Sequence, residues 1–184
     1  GTYNIAIGNS SMIQAKGGNN NIAIGRNTMA VNTSGIKNNA FGNYALTANT
    51  TGEDNVAIGY ETLLKNISGD FNTSVGNYSL HENLTGEKNT AFGAESLYNV
   101  TSGNNNVSVG YRSQYLSNST FNTSIGDFTL SQIESNADSS YNSAVGFNSL
   151  YSLKTGGTNI AMGYNSLSSA NNSDFNIGIG FSAI

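Results

Sequence analysis

Asn55-Val56-Ala57-Ile58-Gly59 is the stretch whose reading decides the fold, because the same pattern returns along the whole chain of 184 residues. Its closing glycine recurs at Gly8, Gly25, Gly42, Gly59, Gly76, Gly93, Gly110, Gly126, Gly146, Gly163 and Gly180. The steps are 17 residues six times, then 16, 20, 17 and 17. Four positions earlier stands an asparagine every time: Asn4, Asn21, Asn38, Asn55, Asn72, Asn89, Asn106, Asn122, Asn142, Asn159 and Asn176. Near-constant spacing of this kind marks a repeat protein in which each copy is one structural unit stacked on the next. Residues 1–184 are therefore read as a single repeat domain.

Counting from the motif glycine, the preceding residue is apolar in every copy, from Ile7 and Ile24 through Phe41 and Ile58 to Met162 and Ile179. The residue before that is always small, as in Ala6, Ala57, Ser74 and Gly178. In a strand these two positions face opposite ways. The apolar position is expected to be buried, and the restriction to small residues on the other face is expected to reflect close approach of a neighbouring subunit. After the glycine the pattern continues with a small residue at plus three (Ala45, Thr62, Ser79, Ser96) and an apolar one at plus four (Leu46, Leu63, Leu80, Leu97), a column broken by Gln114. This predicts a second short extended run. A turn such as Asn49-Thr50-Thr51-Gly52 follows, made of residues that accept left-handed backbone or bond their own backbone.

Each copy then reads as strand, glycine bend, strand and turn. The fold class is all-β, a parallel β-solenoid or β-roll of about eleven 17-residue coils. A helical array is rejected, because repeated glycines cost about 1 kcal/mol each inside helices and Asn, Ser and Thr favour turns. Coils spaced by roughly 4.8 Å give a rod about 50 Å long. Stacking the repeated asparagines predicts a ladder of side-chain amides. The period is disturbed between Gly110 and Gly146, where the excess lies near residues 133–140. That segment reads either as a protruding contact loop or as a tolerated surface insertion, since lengthening a loop costs little.

With 37% hydrophobic and 10% charged residues, the chain lacks the high net charge of disorder but has too little aliphatic content for a thick globular core. A net charge of -4 with seven scattered basic residues argues against a nucleic-acid partner. No apolar run reaches the roughly 18 residues of a membrane span. There is no cysteine, so neither a disulfide framework nor a thiolate metal site is available. The repeats cut through at both ends and the lack of polar caps suggest a segment of a longer fibrous protein or a unit stacking end to end.

The sequence lacks the motifs of catalytic and metal chemistry. His81 is the one histidine and reads as an exposed bystander. No nucleophile elbow, dinucleotide loop or phosphate loop occurs. The acidic residues Glu53, Asp54, Asp70, Glu87 and Asp174 lack the glycine-rich nonapeptide pattern of calcium-binding rolls. No enzyme activity, cofactor or metal is expected. Asn-x-Ser/Thr triplets at Asn32, Asn49, Asn66, Asn83, Asn99 and Asn118 follow from composition and would matter only in a glycosylating host. Tyr60, Tyr111, Phe147, Tyr164 and Phe181 follow the motif glycine, where other copies carry Asn9, Arg26, Asn43 or Asp127. These aromatics are candidate outward contacts for a sugar or a protein, or else a covering of the rod's flank.

In the stretches Asn55 to Leu63 and Asn159-Ile160-Ala161-Met162-Gly163-Tyr164-Asn165-Ser166-Leu167, the chain resembles the YadA-like head repeats of trimeric autotransporter adhesins, and also Asn-Thr-Ala-Ile-Gly repeats of bacteriophage tail fibres. The resemblance covers nearly the whole chain through a short motif. It implies a left-handed parallel β-roll, three chains side by side, and binding to host surface molecules from an extracellular, cell-surface or virion fibre. The period departs from the family's usual near-14 residues, with the extra residues in the Asn-Thr-Thr-Gly turn. Only scaffold columns transfer. The expected function is thus a non-enzymatic structural or adhesive fibre segment whose partners are other copies of itself, as a homotrimer or end-to-end filament, and a host surface protein or glycan. An ice-binding solenoid is the alternative. It needs a uniform outward threonine column, whereas plus eight reads Lys16, Thr33, Thr50, Ile67, Leu84, Thr101 and Asn118.

Overall fold

The computed structural model describes residues 1–134 and 139–184. The described residues form a parallel β-solenoid with eleven three-residue strands: β1 (Ile5–Ile7), β2 (Ile22–Ile24), β3 (Asn39–Phe41), β4 (Val56–Ile58), β5 (Thr73–Val75), β6 (Thr90–Phe92), β7 (Val107–Val109), β8 (Thr123–Ile125), β9 (Ser143–Val145), β10 (Ile160–Met162) and β11 (Ile177–Ile179). They form one sheet in sequence order, each strand parallel to the next. Like pairs with like: Ala40 with Ala57, and Ala57 with Ser74. The short and long steps leave this register unchanged, for Ser108 pairs with Ser124 and Ser124 with Ala144. Length variation is thus taken up in the turns. Residues 135–138, within the proposed contact loop, lie outside the described part; of its neighbours Ile133 is buried and Glu134 exposed.

The two faces of the strand are the reverse of the expectation. The small central residue points into the coil, and Ala23, Ala40, Ala57, Ser74, Ala91, Ser108, Ser124, Ala144 and Ala161 have no exposed surface. The plus-four leucines fill the lumen opposite, including Leu46, Leu63, Leu80, Leu97, Leu130 and Leu150. A small residue is required because the leucine needs the room. At β11, where Gly178 holds the small position, a Cβ would stand 2.7 Å from Cγ of Leu167. A neighbouring subunit is therefore not needed to explain the alanine column. The apolar residue before the glycine instead points outward: Phe41, Ile58, Phe92, Ile125, Met162 and Ile179 are all exposed.

The second extended run is also absent, and tight turns take its place. The cause lies in the backbone. The plus-two and plus-four residues are left-handed, as at Glu61 (φ 51) and Leu63 (φ 50), and so is the residue before each ladder asparagine, as at Asp54 (φ 53). Left-handed non-glycine residues reverse the chain while still placing the leucine inward. At the motif glycine the requirement is stricter. Gly59 has φ 140, and a Cβ there would meet the carbonyl oxygen of Gly76 at 2.6 Å. The motif glycines pack backbone against backbone.

The predicted asparagine ladder is present. Oδ1 of Asn38 accepts the backbone N–H of Asn55 (3.0 Å) and its Nδ2–H (3.1 Å), while Nδ2 of Asn55 also donates to the carbonyl of Gly69 (2.8 Å). Each amide thus ties strand entry to the turn of the following coil. A second ladder runs through the turns. Nδ2 of Asn49 donates to Oδ1 of Asn32, Asn66 to Asn49, and Asn83 to Asn66, at 3.1, 2.8 and 2.7 Å. It stops at Val100, leaving Oδ1 of Asn83 buried without a partner. The apolar lumen is likewise divided. One cluster runs from Ala23 to Val100 and another from Leu130 to Leu167. Between them the buried residues are polar: Ser113, Gln114, Ser117, Ser119 and Ser124. Ser113 bonds Ser124 (2.7 Å), which in turn bonds Gln114 (3.1 Å).

Candidate functional site

Among the described residues the lumen from Ala23 to Ala161 is filled by its own alanine, serine and leucine side chains, and the outside of the rod carries the candidate surfaces. The outer face of the sheet is built from the first and third residue of each strand, because successive side chains in a strand point to opposite sides. Along it run Ile5, Val107, Ile160 and Ile177 in one row and Ile7, Phe41, Ile58, Phe92, Ile125, Met162 and Ile179 in the other, all exposed. Aromatics border both sides. Before the ladder asparagine stand Phe71, Phe121, Tyr141 and Phe175, and after the glycine stand Tyr60, Tyr111, Phe147, Tyr164 and Phe181, all exposed. At one strand per roughly 4.8 Å, the sheet face alone measures roughly 50 Å by 10 Å. Its third-position row is apolar in every coil, while the first-position row also carries Asn39, Thr73, Thr90, Thr123 and Ser143; an exposed apolar row of this length is a candidate interaction surface.

The residues singled out in the sequence separate by place. The ladder asparagines from Asn21 to Asn159 are wholly buried and bind backbone, so they hold the coil together. Tyr60, Tyr111, Phe147 and Tyr164 lie on the flank, 37% to 48% exposed. Their rings are engaged with one another. Phe147 stacks on Tyr164 with centroids 5.4 Å apart, and Tyr164 on Phe181 at 5.3 Å. Tyr60 makes edge contacts with Tyr44 and Tyr78. Its hydroxyl is pushed up to about 12 in pKa, chiefly by hydrogen bonding to Glu61. A stack along the rod axis turns ring edges outward, leaving little face for a sugar.

His81 is not a bystander on the surface, since it is 7% exposed. Nδ1 lies 2.7 Å from Oε1 of Glu82, Nε2 lies 3.2 Å from Oε2 of Glu61, and the ring stacks on Tyr98 at 4.9 Å. Lys65 donates to Glu82 at 2.6 Å, and Arg112 to Glu95 at 2.7 Å. Burial alone would raise the Glu82 carboxyl, but the bonds from Lys65 and His81 outweigh it and hold the group below its usual range. Bonding to Glu95 keeps the Arg112 guanidinium protonated beyond its ordinary value. One flank of the middle coils thus concentrates charge and aromatic rings. Of the other acidic residues, Asp70 accepts the N–H of Glu53 (2.7 Å), Asp127 that of Tyr111 (2.8 Å) and Asp174 that of Gly157 (2.6 Å), while Asp54 pairs with Lys37. Among the described residues no three His, Cys, Asp or Glu side chains are grouped to hold a metal ion.

Asn32, Asn49, Asn66 and Asn83 have no exposed surface, so these triplets are closed to glycosylation in the folded rod. Comparison with protein-family models, curated proteins and solved structures returns no match. The geometry therefore carries the functional reading alone.

One group of residues was passed over in the sequence. The fifth residue after the motif glycine, His81 in its own coil, continues as a column through Tyr98 and Tyr115, which stack at 5.2 Å. It then meets Ser131 and resumes at Tyr151. Reading that column on its own account would have shown an aromatic row with one member missing.

Proposed function

We propose that the chain is a non-enzymatic rod segment of an extracellular fibre, of the adhesin or phage tail-fibre kind, which associates with other copies of itself, as a homotrimer, to space or present a host-binding surface. The observation that supports this reading is the exposed apolar sheet face between its aromatic borders. The third-position row of the sheet is apolar in every coil, and a row repeating at strand spacing along the whole rod is best covered by something with the same repeat. Another copy of this chain meets that condition along the full length, whereas a globular partner would meet it over a few coils.

Light scattering behind a sizing column tests the reading. A mass three times that of the 19.2 kDa chain is expected, and a clean monomer at high concentration would overturn self-association. Ice binding calls for a uniform outward row of hydroxyls. The outer sheet rows mix Ile, Asn, Val, Thr, Ser and Phe, so thermal hysteresis is expected to be absent.

A further inference from the structure

On the charged flank, the aromatic row at plus five runs His81, Tyr98, Tyr115, then Ser131, then Tyr151. The first three rings stack at 4.9 and 5.2 Å, which is the coil spacing, so each ring is one rung. At the eighth coil the rung is missing. Ser131 is 2% exposed and lies at the floor of a cleft of about 140 Å³ lined by Arg112, Tyr115, Leu116, Phe128, Gln132 and Tyr151. A cavity of about 150 Å³ holds one six-membered ring. The space left by the absent aromatic is therefore the space of a single ring, entered from solvent.

The lining decides which ring. Tyr115 is stacked on Tyr98 and carries the Arg112 guanidinium over its ring at 5.1 Å, so the apolar surface left to pack against the C–H face of a sugar is that of Phe128, Leu116 and Tyr151. The rim carries hydrogen-bonding groups of both kinds: the Gln132 amide, the tyrosine hydroxyls and the Arg112 guanidinium. Arg112 is already paired with Glu95, so the rim presents no uncompensated positive charge to attract an anion. Few precisely placed polar groups on an apolar slot are what orient a small neutral ligand.

We propose that this slot binds one pyranose ring of a neutral saccharide, seated over Ser131 between the Arg112 guanidinium and Tyr151. The site lies within one chain, so it holds whether or not the sheet face self-associates. It also differs from the aromatic column after the motif glycine, where Phe147, Tyr164 and Phe181 face one another.

The test is saturation-transfer NMR on the purified chain with methyl glycosides of glucose, galactose and N-acetylglucosamine, and with p-cresol as a tyrosine side-chain probe. At least one glycoside is expected to show saturable transfer to its ring protons. Ser131→Tyr restores the missing rung and is expected to abolish that signal while leaving the thermal midpoint unchanged or raised. Ser131→Leu, a residue the column already carries at Leu64, serves as the second variant if the tyrosine does not fold. Tyr151→Ala is expected to weaken binding at least tenfold. No glycoside signal in the unmodified chain, or a signal that survives the filled slot, overturns the proposal. Binding of p-cresol without any glycoside would assign the slot to an aromatic side chain of a partner protein and overturn it equally.

Discussion

At the level of single residues, the fold depends on left-handed backbone at positions that glycine does not occupy. Such a conformation costs about 1–2 kcal/mol for an ordinary L-residue and less for asparagine. Thr158, β-branched and exposed, sits there at φ 60, whereas Asn20 and Asn105 hold the same column at φ 59 and 57. Thr158→Asn is expected to raise stability by about 1 kcal/mol in thermal unfolding. The paired carboxylate of Glu82 has a pH signature. Because its folded pKa is lowered, it stabilises the rod above the unfolded carboxyl's value, roughly pH 4.3, and that contribution is lost as pH falls through the folded value. Glu82→Gln should therefore be less stable than the natural chain near neutrality and lose less stability on acidification, measured by denaturant unfolding across pH. The glycine and asparagine columns were legible because chemistry tolerates no other residue there. His81 was not, since its burial depends on Tyr98 and on Glu61 one coil away.

At the level of the coil element, strand position and register were readable from periodicity, while sidedness was not. A column of alanine and a column of isoleucine both look restricted, and nothing in either alone says which faces the lumen. The answer comes from the leucine column, whose bulk leaves space only for the small one. The extended second run was misread for a related reason: alternating small and apolar residues imply strand only when the backbone is extended, and leucine does not announce a left-handed conformation such as φ 50 at Leu63. The second asparagine ladder yields a direct test. Val100→Asn gives the orphaned Oδ1 of Asn83 a donor, and its own amide can continue to Gly103 and Ser117. Losing the valine's burial is offset by satisfying a buried acceptor worth about 1–3 kcal/mol. Stability within about 1 kcal/mol of the parent, or above it, is expected. Leu97→Asn, where no ladder waits, should lose about 3 kcal/mol or more in the same denaturant titration.

For the whole molecule, the apolar exterior leads to a prediction about assembly. Placing Asp at both Ile58 and Phe92 sets two charges in the middle of the sheet face without touching the lumen. The variant is expected to keep its circular dichroism and run as a monomer; an unchanged mass would locate the contact elsewhere. The rod itself was legible from eleven returns of one motif, whereas the gap at Ser131 is obscured in a column that also carries Thr47, Leu64 and Ser168.

The polar stretch of lumen around Gln114 sets how the rod fails. In a stacked array each coil is held by its own stability and by its two contacts, so cohesion is a chain of links with a weakest member. Where the lumen exchanges leucine for serine and glutamine, the link loses apolar burial and relies on hydrogen bonds that water can replace. A crack opened by heat or by pulling should start there and leave two shorter fragments, each still zipped around its own leucines. Hydrogen exchange is expected to show it first, as faster amides across residues 106–124 than in the coils on either side.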